Sequence, residues 1–98
     1  MSQASPGPGA GAITVRYWAA ARAAAGTDQD VLPADRDTTL AAVLDAVRER
    51  HPDRPRFAGV IAVCSVLVGD KPVGTADAEG VVVGPGDTVE LLPPFAGG

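Results

Sequence analysis

Thr39-Leu40-Ala41-Ala42-Val43-Leu44-Asp45-Ala46-Val47-Arg48-Glu49-Arg50 places Leu40, Val43, Leu44 and Val47 at i, i+3, i+4 and i+7. That spacing puts one apolar stripe on a helix and predicts helix over Thr39 to Arg50. Burying the stripe contributes about 1.5–3 kcal/mol per side chain, enough to make this the main helix of a small domain. Its ends are marked as well. Asp37 or Thr38 can accept the first free backbone N–H groups, Arg48, Arg50 and His51 stand at the negative end, and Pro52 blocks continuation.

Upstream, the pattern from Ala12 alternates, with Ile13, Val15 and Tyr17 on one side and Thr14, Arg16 and Trp18 on the other, as in a half-buried strand. Ala19 to Ala25 is a short helix or turn of good helix formers, closed by Gly26, which can take the left-handed conformation past a helix end. Asp30 to Leu32 reads as a second strand, joined to the first by a wide connection. Downstream, Val60 to Val68 is rich in β-branched residues and ends at Gly69-Asp70, which predicts a third, central strand closed by a tight hairpin turn. Val81 to Val83 is a short apolar piece, Gly84-Pro85-Gly86-Asp87 a turn, and Thr88 to Leu92 a last strand with Val89 and Leu91 on one face. Pro93 and Pro94 end it, because neither can donate to a sheet. The order describes an α+β domain, a mixed sheet of about five strands curled around one main helix. Met1 to Gly11, small and rich in Gly and Pro, reads as a disordered tail, which leaves one domain over 12–98 with a C-terminal tail over 93–98.

The chain has 98 residues, 46% of them hydrophobic and 20% charged, the balance of a soluble globular domain. A net charge of −4 argues against nucleic acid as a partner, since phosphate binding depends on Lys and Arg displacing counterions. The single cysteine, Cys64, cannot form an internal disulfide or a Cys-rich metal site, so the cytoplasm is the expected compartment. Neither a secretory signal nor an apolar run of membrane-spanning length is present, and no membrane role is expected. Cys64 lies in an apolar stretch and reads as a buried hydrophobe with a raised pKa. His51, the only histidine, reads as a helix cap, so neither a bound metal nor a bound cofactor is expected. No segment matches the phosphate-binding G-x-x-x-x-G-K-[ST] loop. By itself the chain is not expected to be an enzyme.

What remains is Leu91-Leu92-Pro93-Pro94-Phe95-Ala96-Gly97-Gly98. Two prolines stiffen the exit from the last strand, and Ala96, Gly97 and Gly98 have almost no side-chain bulk, so such a tail can thread a narrow channel. A terminal carboxylate is a poor electrophile and would need activation as an acyl-adenylate by an ATP-using enzyme. Glycine at Gly97 and Gly98 would let a partner's backbone close on the tail and leave the reacting carbon open. On glycine content alone, a frayed terminus is the alternative.

Tyr17-Trp18-Ala19 in the opening strand, the Ala-rich turn with Arg22 and Gly26-Thr27, the Thr39 to Arg50 helix, Gly86-Asp87 and Leu-Pro-Pro-Phe-Ala-Gly-Gly together resemble the MoaD/ThiS family of sulfur carriers, most of all the small subunits of molybdopterin synthase. The resemblance runs from Ile13 to Gly98. It implies a ubiquitin-like β-grasp fold and adenylation of Gly98 by an E1-like adenylyltransferase, followed by thiocarboxylation with sulfur from a donor protein. It also implies a larger, catalytic synthase subunit that accepts the tail and passes the sulfur to cyclic pyranopterin monophosphate in molybdenum cofactor biosynthesis. ATP would be used by the activating enzyme and not held by this chain. Phe95, where a smaller aliphatic residue is usual, and the long stretch from Gly74 to Gly84 depart from the family pattern. Carriers for thiamine, cysteine or specialised metabolites, and ubiquitin-like modifiers joined to lysines, share the terminal Gly-Gly.

If Ile13, Val15, Tyr17, Val89 and Leu91 face the helix, Trp18 and Leu92 fall on the opposite face, near Pro93, Pro94, Phe95 and Ala96. An exposed apolar patch there would dock on the activating enzyme and on the larger subunit. The competing placement packs Trp18 under the Ala-rich turn, and Phe95 reads equally as an anchor beside the channel or as a packing residue.

Overall fold

A computed structural model describes residues 11–94. The expected tail residues 1–10 and the site residues Phe95, Ala96, Gly97 and Gly98 lie outside that range. Gly11, the first described residue, is exposed, and its carbonyl accepts from the Ala34 N–H at 3.0 Å.

In chain order the elements are β1 (Ala12–Tyr17), α1 (Ala19–Ala25), β2 (Gln29–Pro33), β3 (Thr38–Thr39), α2 (Leu40–Arg50), α3 (Phe57–Ala62), β4 (Ser65–Val68), β5 (Lys71–Pro72), β6 (Val82–Val83) and β7 (Thr88–Leu92). A 3-10 turn, Ala78–Gly80, precedes β6 and occupies part of the long stretch after Gly74. The main sheet has five strands in the order β2-β1-β7-β4-β5, and β3 and β6 form a separate two-stranded ladder. The pair β1 and β7 is parallel, with Tyr17 opposite Leu91, while β1 with β2, β4 with β7 and β4 with β5 are antiparallel. This mixed sheet on one main helix is the β-grasp arrangement.

One face of the sheet carries Ile13, Val15, Tyr17, Val89 and Leu91, each at most 2% exposed, against Leu40, Val43 and Val47 of α2. Leu44, the fourth stripe residue, is half-buried at the edge of that contact. Three of the four therefore gain the full benefit of burial, about 1.5–3 kcal/mol each. The helix is capped by Thr39, whose Oγ1 accepts from the Ala42 N–H at 3.1 Å. Asp37 and Thr38, the expected caps, have other places: Thr38 pairs with Val83 in the small ladder, and the Asp37 carboxylate sits where a Cβ on Gly84 would collide with it.

Two expectations fail along Val60 to Val68. Its first part is helix, not strand, because Phe57, Val60 and Ile61 stand at i, i+3 and i+4, and Phe57 and Ile61 are buried in the core. Packing of that face outweighs the strand preference of the β-branched residues. Nor is the remaining strand central. β4 lies between β7 and the two-residue β5, and the parallel pair β1 and β7 holds the middle of the sheet. The Gly69-Asp70 hairpin forms as expected, with Gly69 at φ 65° and Val68 opposite Lys71. β1 also departs from simple alternation, since Ala12 and Thr14 on its second face are 3% and 4% exposed.

Candidate functional site

The tail leaves the sheet from β7, and what surrounds that root is set by the parallel pairing with β1. The Trp18 N–H donates to the Leu91 carbonyl at 3.2 Å, which carries the ladder one residue beyond Tyr17 and brings Trp18 beside Leu92. Because side chains alternate, both point away from α2. Trp18 is 38% exposed, Leu92 and Pro93 are half-buried, and Pro94 is exposed. The placement of Trp18 under the Ala-rich turn is not what forms. Its indole lies across the outer face, where Nε1 donates to Glu90 Oε1 at 2.9 Å and the Arg16 guanidinium stands 5.0 Å from the ring centroid. Ser65 and Leu67 of β4, paired with Leu92 and Glu90, extend this face.

After Trp18 the chain turns sharply. Ala19, at φ 50°, is the positive-φ residue other than glycine among those described, a conformation that costs an L-residue roughly 1–2 kcal/mol. The short α1 that follows ends at Gly26 with φ 77°, as its sequence predicts. The Arg54 guanidinium lies where a Cβ on Gly26 would be.

Beneath the root, on the core face, the Tyr17 hydroxyl donates to Asp30 Oδ2 at 2.6 Å, and His51 Nε2 lies 2.6 Å from the same oxygen. An ionised carboxylate only accepts, so Nε2 carries the hydrogen in this contact. Arg50 Nη1 stands 3.9 Å from the other oxygen, Oδ1, and is too exposed to add much. The Tyr17 ring meets Phe57 edge-on at 5.4 Å and His51 edge-on at 6.1 Å. Burial, and then the hydrogen bond to Asp30, push the Tyr17 phenol pKa far up. His51 does occupy the C-cap position of α2, its N–H donating to the Arg48 carbonyl, but its ring also belongs to this triad. Sequence reading missed the triad, because Asp30 is separated from Tyr17 and His51 by turns whose course no local pattern specifies. It missed Arg16 and Glu90 too, although both stand on outer-face positions that alternation alone identifies.

Cys64 follows α3, its thiol donating to the Val60 carbonyl at 3.3 Å, and burial pushes its pKa up to about 11. A thiol held in that state is a poor nucleophile. No group of three or more His, Cys, Asp or Glu side chains among the described residues is placed to hold a metal ion. No helix among them is long and apolar enough to cross a membrane. A surface hollow of about 260 Å³ between β2 and α2, lined by Ile13, Leu32, Ala42 and Val43 among others, lies apart from the tail root.

The chain is thus a β-grasp domain whose last strand runs into a Pro-Pro step beside an exposed tryptophan. Residues 15–98 match the ThiS family model, and the chain belongs to that family. SAMP1 from Haloferax volcanii is similar at 25% identity and a TM-score of 0.72, over 90% of this chain and 100% of its own. The putative molybdopterin converting factor subunit 1 from Pyrococcus furiosus is similar in fold at 17% identity and a TM-score of 0.67, over 86% of this chain and 98% of its own. A chain of the complex of subunits 1 and 2 of molybdopterin-converting factor from Helicobacter pylori 26695 is also similar in fold. Its identity is 20% and its TM-score 0.57, over 89% of this chain and 99% of its own. Among curated proteins no sequence relative was found.

Proposed function

We propose that this chain is the sulfur-carrying small subunit of a molybdopterin synthase. The observation that carries the reading is the continuity of the family match through Gly97 and Gly98, on a tail rooted beside Trp18, Leu92, Pro93 and Pro94. The Gly98 carboxylate attacks the α-phosphorus of ATP on an E1-like enzyme and pyrophosphate leaves; hydrosulfide supplied by a donor protein then attacks the acyl carbon and displaces AMP to give a thiocarboxylate. A larger subunit, which holds the active site, takes the tail and passes the sulfur to cyclic pyranopterin monophosphate. Complex formation between the two subunits of the Helicobacter pylori factor supports this division of labour. The chain is reactant and subunit, not an enzyme alone, and it works in the cytoplasm without a bound cofactor. Phe95 and Ala96 would lie in or beside the partner's channel, Gly97 in its narrowest part.

The test is intact-mass analysis after incubation with the activating enzyme, ATP and a sulfur donor. Replacement of one oxygen by sulfur, abolished by deletion of Gly98, is the expected result. An unchanged mass with an activating enzyme that converts its own carrier would overturn the reading. A modifier role is the second reading, favoured by the likeness to SAMP1. Isopeptide-linked conjugates in extracts, without thiocarboxylate, would establish it instead.

A further inference from the structure

Trp18 is the largest exposed apolar side chain beside the tail root, and its indole has a polar partner. An indole that lies on a sheet surface with only apolar neighbours can swing about two side-chain torsions. Here Nε1 is held by Glu90 Oε1 at 2.9 Å, across the parallel ladder, and Arg16 stands 5.0 Å from the ring centroid. Arg16 and Glu90 are direct register partners, yet the Glu90 carboxylate is turned to the indole, and no ion pair joins them among the described residues. Alternating strand positions thus place a cation, the aromatic ring and an anion on one face at the base of the tail.

We propose that Glu90 is a positioning residue for tail uptake: it fixes the Trp18 indole in the free protein, so that the partner meets an anchor already oriented beside Leu92 and Pro93. Orientation in advance matters because each rotamer-rich side chain frozen on association weakens binding. An aromatic anchor is also the kind of residue that dominates an interface. The partner half of this inference rests on the sulfur-carrier reading; the orientation half concerns the chain alone.

The chain has one tryptophan, so its fluorescence reports this ring without interference. Time-resolved anisotropy of the free protein should show added fast local motion in Glu90→Ala, while Glu90→Gln, which keeps an acceptor oxygen, should stay near the parent. Affinity for the larger synthase subunit should fall ~fivefold in Glu90→Ala and be largely restored in Glu90→Gln. In a Trp18→Phe background, which lacks the N–H, Glu90→Ala should have no further effect. Parent-like anisotropy in Glu90→Ala, or an undiminished Glu90→Ala effect in the Trp18→Phe background, overturns the proposal. If the parent chain itself does not bind the synthase subunit, the sulfur-carrier reading fails, while the anisotropy still decides whether Glu90 orients the ring.

Discussion

Replacing Asp30 with alanine removes the acceptor shared by Tyr17 and His51, and the cost can be worked from the geometry. Tyr17 is 2% exposed, so its hydroxyl, now 2.6 Å from Asp30 Oδ2, would be left inside without a partner. An orphaned buried donor costs about 1–3 kcal/mol, and loss of the His51 contact at 2.6 Å adds about 1 kcal/mol more. Asp30→Ala should therefore lose about 2–4 kcal/mol, a large share of what holds so small a domain together. Tyr17→Phe keeps the ring on Phe57 and His51, deletes the hydroxyl and should cost only about 1 kcal/mol. In the double variant no hydroxyl is stranded, so the combined loss should fall short of the sum by about 1–2 kcal/mol. Urea unfolding of the four proteins, followed by far-UV circular dichroism, gives each value. Strict additivity, or an Asp30→Ala protein as stable as the parent, would refute the view that this carboxylate satisfies a buried tyrosine.

Leu92→Arg alters a half-buried outer-face residue beside Trp18. It should change stability by less than about 1 kcal/mol. Affinity for the proposed larger synthase subunit should nonetheless drop at least ~tenfold, and calorimetric titration giving parent affinity would dismiss the patch. Cys64, pushed up to about 11 from 9.0, keeps its proton in the folded state at pH values where the unfolded chain releases it. The unfolded state then binds fewer protons, so this contribution is intact below pH 9.0 and is lost as pH rises toward about 11. Cys64 is half-buried rather than fully buried as its sequence suggests, so thiol labelling at pH 8 should be slower in the native protein than in urea, and equal rates would contradict a shielded thiol.

How much of this was legible depends on whether a pattern is local. The α2 stripe, the alternation of Ile13, Val15 and Tyr17, the Gly26 helix end and the Gly69-Asp70 hairpin all appear where their sequence signals stand, because each is specified within a few residues. Val60 to Val68 misled because β-branched content spoke for strand while Phe57, Val60 and Ile61 carried helical spacing that a count of apolar residues hides. Strand order was not legible either. Nothing near Thr88 states that β7 lies between β1 and β4, and that neighbour relation gives Trp18 its contact with Glu90. The position of Trp18, Leu92, Pro93 and Pro94 beside the tail root could be read from alternation and the Pro-Pro stop. The contacts of Asp30 with Tyr17 and of Glu90 with Trp18 could not, since each acidic residue is distant in sequence from the aromatic it binds.

Those two aromatics, adjacent in sequence, explain why the register at the end of β1 is so well determined. A slip of one residue would exchange the faces of the strand, turning Tyr17 outward and driving Trp18 into the core. On the inner side that would break the bond to Asp30 and leave a gap beside Phe57; on the outer side it would break the bond to Glu90 and pull the indole from Arg16. Both clamps bear on the strand that pairs directly with β7, so together they hold the origin of the tail against sliding along the sheet. On the proposed sulfur-carrier reading, a tail that delivers its last residue to a fixed point in another protein gains from a fixed starting point. The sheet supplies it through two carboxylates, one on either face, acting on the last residue of β1 and the residue after it.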